Sequence, residues 1–107
     1  MINLQTLDFE WDDGNRGKCQ QHGLTPDEIE AFFRQARLYI APDLKHSEGE
    51  QRLLAAGRSP LNRHPMFVVF TLRGDEHGRL IRPISARYMH AREARRYGEE
   101  ESSRIQE

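Results

Sequence analysis

Four arginines, Arg52, Arg58, Arg82 and Arg87, fall in stretches that read as strands. A guanidinium placed in mid-strand costs desolvation unless it faces water or an anion. Its planar fork matches phosphate oxygens, and it stays charged at any working pH. Such a group can hold a phosphodiester and offset charge in a transition state, but it does not serve as a base. Each of the four also fits an ordinary surface pair with Asp or Glu. Proton transfer needs other residues. Lys18 and His22 are four apart, which on a helix sets an ammonium beside an imidazole. A solvated helix face, with His22 favoured by the C-terminal dipole, fits the same spacing. His46-Ser47-Glu48-Gly49-Glu50, followed by Arg52, brings a carboxylate next to a cation in a loop. Glu48 is the candidate base there, and a plain hydrophilic connection is the competing reading. His46, Glu48 and Glu50 alternate without the spacing of a metal site, so no metal or other cofactor is expected. Tyr88 and Tyr97 offer either rings for a base or core packing with a hydroxyl in water.

The charge is divided along the chain. Residues 1–50 hold five Lys or Arg against ten Asp or Glu. Between Arg52 and Tyr97 there are ten Arg and three acids, and the whole chain has fourteen Arg to two Lys. An arginine-only basic half suggests phosphate recognition, although a genome rich in Arg codons would give the same bias. With 107 residues and 36% hydrophobic content, one domain with a modest core is expected. No apolar run is long enough to span a membrane, and Met1–Phe9 lacks the pattern of a secretory signal. The single cysteine, Cys19, suits a reducing compartment.

The elements that must position these side chains follow from periodicity. Leu7, Phe9 and Trp11 alternate, giving a half-buried strand over 6–11. Asp12 caps a short helix over 13–22, which Gly23 ends. Thr25-Pro26-Asp27-Glu28 starts a second helix as a capping box, with Ile29, Phe32, Phe33 and Ala36 as its buried stripe. Strands follow at 38–41, 51–58, 66–73 and 79–88, with 66–73 central and a hairpin at 74–78. On the third of these five strands Arg52, Leu54, Ala56 and Arg58 share a face. Arg82 and Arg87 fall on opposite faces of the last strand, unless Pro83 marks a bulge that rotates one of them. A last helix begins near Ala91. The expected fold is α+β, β-α-α-β-β-β-β-α. Its sheet is mainly antiparallel, with helices packed on one face and arginines on the other. Residues 1–97 form the domain, and 98–107 form a polar tail expected to be flexible.

Several short segments carry a family resemblance when taken in order. They are Phe9-Glu10-Trp11-Asp12 opening a helix that ends in His22-Gly23, then His46 to Arg52, Gly57-Arg58 and Val68-Val69-Phe70-Thr71. Ile81-Arg82-Pro83-Ile84-Ser85-Ala86-Arg87 and Glu93-Ala94-Arg95-Arg96-Tyr97 complete the set. From roughly Phe9 to Tyr97 the chain resembles the BrnT-type toxins of type II toxin–antitoxin systems, which share the RelE-like ribonuclease fold. The resemblance implies a metal-independent, cytoplasmic endoribonuclease that blocks translation and growth. It also implies a hetero-oligomer with a cognate DNA-binding antitoxin, BrnA-like and of ribbon-helix-helix type, that represses their operon. The family pattern matches at His22, Glu48, Arg52, Arg58, Arg87 and Tyr97. On this reading His22, Glu48, Arg52, Arg58 and Arg87 are catalytic, and Lys18, Arg82 and Tyr97 contact RNA. Lys18 stands where many relatives carry Asn; Pro83 and Cys19 also depart from the pattern. The alternative is a degenerate toxin-like module that only binds its antitoxin and helps repress the operon.

Overall fold

The computed structural model describes residues 3–43, 49–75 and 77–105. The N-terminal alternation yields only a two-residue strand, β1 (Asp8–Phe9), after a 3-10 turn at Leu4–Thr6. Leu7, Phe9 and Trp11 nevertheless pack against the core, as their spacing requires. Asp12 then turns the chain into α1 (Asp13–Gln20). Its carboxylate accepts the Asn15 N–H at 3.0 Å, and the Asn15 side chain accepts the Asp12 N–H at 2.7 Å, so two orphan donors are satisfied reciprocally. Thr25 caps α2 (Pro26–Phe33) by accepting the Glu28 N–H at 3.1 Å. The expected box is only half made. Glu28 turns its carboxylate into the molecule instead, where it accepts the hydroxyls of Ser59 and Tyr88, each at 2.6 Å.

Five strands follow the order β1-β5-β4-β3-β2, with β2 (Tyr39–Pro42), β3 (Leu53–Arg58), β4 (Pro65–Asp75) and β5 (Gly78–Tyr88). The neighbours β2–β3, β3–β4 and β4–β5 are antiparallel, while β1 runs parallel to β5. The sheet is therefore mixed, because the chain passes through both helices and three further strands before returning beside β1. One face is dry. Ala55, Met66, Val68, Phe70, Ile81 and Ala86 meet Cys19, Leu24, Ile29, Phe32 and Phe33 from α1 and α2. Gly57 leaves the room that Phe32 and Leu38 fill: a Cβ there would stand 3.0 Å from the Phe32 ring and 2.7 Å from Leu38.

Two helices, α1 and α2, share one face as expected, but the last helix does not join them. α3 (Ala91–Ile105) lies over the opposite face, where Ala56 and Phe67 border the same cavity as Tyr97 and Glu93. Two causes are visible: Met89 is buried at the turn into the helix, and α3 carries carboxylates that meet strand arginines. The stretch 98–105, read from sequence as a fraying tail, continues this helix.

The β4–β5 ladder contains one irregularity that matters for function. Val69 pairs with Ser85, yet Phe70 pairs with Pro83, leaving Ile84 as an extra residue on β5. Thr71 faces Arg82 and Phe67 faces Arg87 across the ladder. Directly paired residues share a face, so the bulge brings Arg82 and Arg87 to the same side despite their odd spacing. Beyond β1, the Pro83 carbonyl accepts the Asn15 amide at 2.8 Å, so α1 takes over that edge of β5.

Candidate active site

The second face of the sheet is built in rows. Leu54, Val69 and Ser85 form one; Ala56, Phe67 and Arg87 form the next. A cavity of about 430 Å³ opens over these rows, lined by His22, Leu54, Phe67, Val69, Ser85, Ala86, Arg87 and Glu93. That size lies within the range of small-ligand sites, about 300–1,000 Å³. His22 comes from the exposed turn after α1, which reverses at Gly23 with φ 84°. Arg87 comes from β5 and Glu93 from the first turn of α3, so three separate elements converge.

Arg87 is held firmly. Its Nη1 donates to Glu93 Oε1 at 2.7 Å and to the Tyr88 carbonyl at 3.2 Å, and its Nη2 donates to Glu93 Oε2 at 2.9 Å. The guanidinium lies over the Phe67 ring, 5.0 Å from its centre. Glu93 also accepts the His90 N–H at 2.9 Å, which ties the pair to the start of α3. The Arg87 bonds, with the His90 N–H second, hold the Glu93 carboxyl down at about 2. These contacts use three of the guanidinium N–H groups. The Nε–H and one Nη2–H have no partner among the described residues, and they lie along one edge. That edge is the fork that accepts a phosphate in two-point fashion.

The other arginines occupy different surroundings. Arg58, at the far end of β3, donates Nε and Nη2 to Glu101 and Nη1 to the Arg63 carbonyl, at 2.8–3.2 Å. Its charge sits 5.6 Å from the centre of the Tyr97 ring. Tyr97 is only 8% exposed and also packs edge-on against Tyr39, so its ring is spoken for. Burial, with the charge of Glu101 second, pushes its hydroxyl up to about 12. Arg82 bridges Glu10 at 3.1 Å and Asp12 at 3.0 Å, pinning the entry to α1. Opposite it, the buried Thr71 hydroxyl has no partner among the described residues. Lys18 is exposed on α1 and is not among the described residues lining the His22–Arg87 cavity. Arg52 precedes β3, and its carbonyl accepts the Asp43 N–H at 2.8 Å. His46 and Glu48 lie outside the described residues.

A family model for the BrnT ribonuclease toxin of type II toxin–antitoxin systems matches residues 11–93. The chain belongs to the BrnT family. No curated protein matches the sequence. Membership makes the BrnT chain a ribonuclease toxin with an RNA target and an antitoxin partner. The match includes His22, Arg87 and Glu93, the convergent trio, together with Arg58 and Arg82; Tyr97 and Glu101 lie past its end. No helix among the described residues of this BrnT chain is long and apolar enough to cross a membrane.

Sequence reasoning passed over Glu93 and Phe67. Glu93 was visible as an acid in the first turn of a helix, the usual place for a carboxylate that caps. Its second role, gripping an arginine six residues earlier, needs the tertiary fold. Of the two readings of Tyr88, core packing is the one seen, with its hydroxyl donated to the buried Glu28 rather than left in water.

Proposed function

We propose that this BrnT chain, on a RelE-type scaffold, cleaves RNA without a metal in the cavity shared by His22 and Arg87. The ribose 2′-hydroxyl attacks the adjacent phosphorus in line, the P–O5′ bond breaks, and a 2′,3′-cyclic phosphate and a 5′-hydroxyl result. The 2′-OH proton goes to a base, and the departing 5′-oxygen takes one from an acid. His22 and Glu48 serve as these two groups. Arg87 holds the phosphate through the free edge of its guanidinium and offsets the charge that builds on its oxygens. Glu93 and Phe67 fix the plane of that guanidinium before RNA arrives, which lowers the cost of reaching the reactive geometry. Arg52, Arg58 and Arg82 add cationic contacts, Lys18 supports the phosphate, and Tyr97 orients Arg58. The toxin acts in the cytoplasm, and a BrnA-like ribbon-helix-helix antitoxin neutralises it in a hetero-oligomer that represses the operon.

The convergence of His22 and Arg87 on one cavity carries this reading. Purified protein in EDTA is expected to cleave single-stranded RNA and leave cyclic phosphate ends. His22→Ala and Arg87→Ala should each slow cleavage by at least about 10²-fold with an unchanged circular dichroism spectrum. Their induction should no longer stop growth. A fully active Arg87→Ala enzyme, or cleavage that vanishes with EDTA, would overturn the proposal. A wild-type chain that neither cuts RNA nor slows growth would favour a module that only docks its antitoxin.

A further inference from the structure

The His22–Arg87 cavity does not stand alone. Phe67 and Glu93 also line a neighbouring cavity of about 370 Å³, which reaches Tyr97 and Arg104. Tyr97 in turn borders a cavity of about 300 Å³ with Arg37, Arg58 and Arg63, and Arg104 borders one of about 520 Å³, which Arg37 and Glu101 also line. The path therefore runs from the cleavage pocket, along α3, to the far end of the sheet. Its far end is strongly positive. Four guanidiniums, from Arg37, Arg58, Arg63 and Arg104, face one carboxylate, Glu101, which is bound to Arg58. Arg37, Arg63 and Arg104 make no ion pair among the described residues.

The chain also spends conformational energy to keep this end in shape. Arg63 has φ 67°, a left-handed conformation that side-chain-bearing residues seldom adopt. It is held by its N–H to the Ser59 carbonyl at 2.9 Å and by Arg58, whose Nη1 reaches its carbonyl at 2.8 Å. The central carbon of the Arg104 guanidinium stands over the Tyr39 ring, 3.9 Å from its centre. Several like charges that share a single carboxylate weaken a fold unless a further anion joins them.

We infer that the Arg37–Arg63–Arg104 cleft is a second phosphate subsite, which grips the backbone of the RNA strand as it leaves the cleavage cavity along α3. The substrate is thus a single strand longer than the two nucleotides around the cut. This rests on the His22–Arg87 cavity being the cleavage site. Continuity of the path favours RNA over an acidic protein segment, which would need no connection to that cavity. Guanidiniums read backbone phosphate without reading sequence, so the subsite adds affinity and register rather than base preference.

The test uses the Arg37→Ala/Arg63→Ala double variant, which alters two exposed residues outside the catalytic set. Binding is measured by fluorescence anisotropy with a labelled 2′-O-methyl RNA oligomer, which has no free 2′-hydroxyl and cannot be cut. Affinity should fall about tenfold, and the slope of log affinity against log salt should become shallower by about 1.4, for two lost phosphate contacts on a single strand. Cleavage of a dinucleoside monophosphate should stay at the wild-type rate. Unchanged oligomer affinity and slope would overturn the subsite. So would unchanged RNA binding with loss of the co-expressed antitoxin, which would assign the cleft to a protein. If the wild type fails to cut the dinucleotide, the catalytic reading fails, while the anisotropy result still decides whether the cleft binds RNA.

Discussion

Among single residues, Arg87 and Thr71 mark opposite uses of a polar group on the same sheet face. Arg87 is anchored on one edge and open on the other, an arrangement suited to a ligand. Thr71 is 2% exposed, and its hydroxyl has no partner among the described residues. A buried donor without an acceptor costs about 1–3 kcal/mol. Thr71→Val keeps the shape and removes the orphan, so it should stabilise the fold by about 1 kcal/mol. Urea denaturation would show this as a raised midpoint with an unchanged slope. A loss of stability would mean that the hydroxyl has found an acceptor.

Elements show how far the sequence could be read. The capping residues Asp12 and Thr25 start α1 and α2 where their chemistry requires, and the apolar run at Met66–Phe70 lies in the central strand. These signals are local, and local physics was enough. The fate of Glu28 was not local: its backbone N–H obeys the helix rule, while its carboxylate answers to Ser59, just past β3, and Tyr88 on β5. The five-residue spacing of Arg82 and Arg87 says opposite faces, and only the extra residue at Ile84 reverses that. Pro83 signalled that a bulge was an option but not on which side of it each arginine would fall. Helix-to-sheet contact carries its own test. Gly57 lies beneath Phe32 and Leu38 with no space for a branched side chain. Gly57→Val should cost about 1–3 kcal/mol through overpacking, read as a lower urea midpoint. Wild-type stability would show that α2 can lift off the sheet without penalty.

Across the whole molecule, the uneven charge of the chain is largely resolved by folding. Arginines of the basic stretch find carboxylates beyond it: Glu10 and Asp12 for Arg82, Glu50 for Arg73 and Glu101 for Arg58. Three of the carboxyls that meet arginines are held below their ordinary range. The Asn15 N–H and then Arg82 lower Asp12, Arg87 lowers Glu93, and Arg58 lowers Glu101. Groups with depressed folded values add stability that is complete above their unfolded pKa, near about 4, and is lost as pH falls toward the folded values. The urea midpoint should therefore be level from about pH 7 to 5 and drop steeply below about 4.5. Glu93→Gln should flatten part of that drop, and an equally steep fall in this variant would remove Glu93 from the account. Cys19 sits at the centre of this same body. Its side chain is 0% exposed, and burial pushes the thiol up to about 11. A water-soluble alkylating reagent thus meets a covered, protonated thiol on the intact molecule, so the pace of labelling becomes a clock for the release of α1 from the sheet.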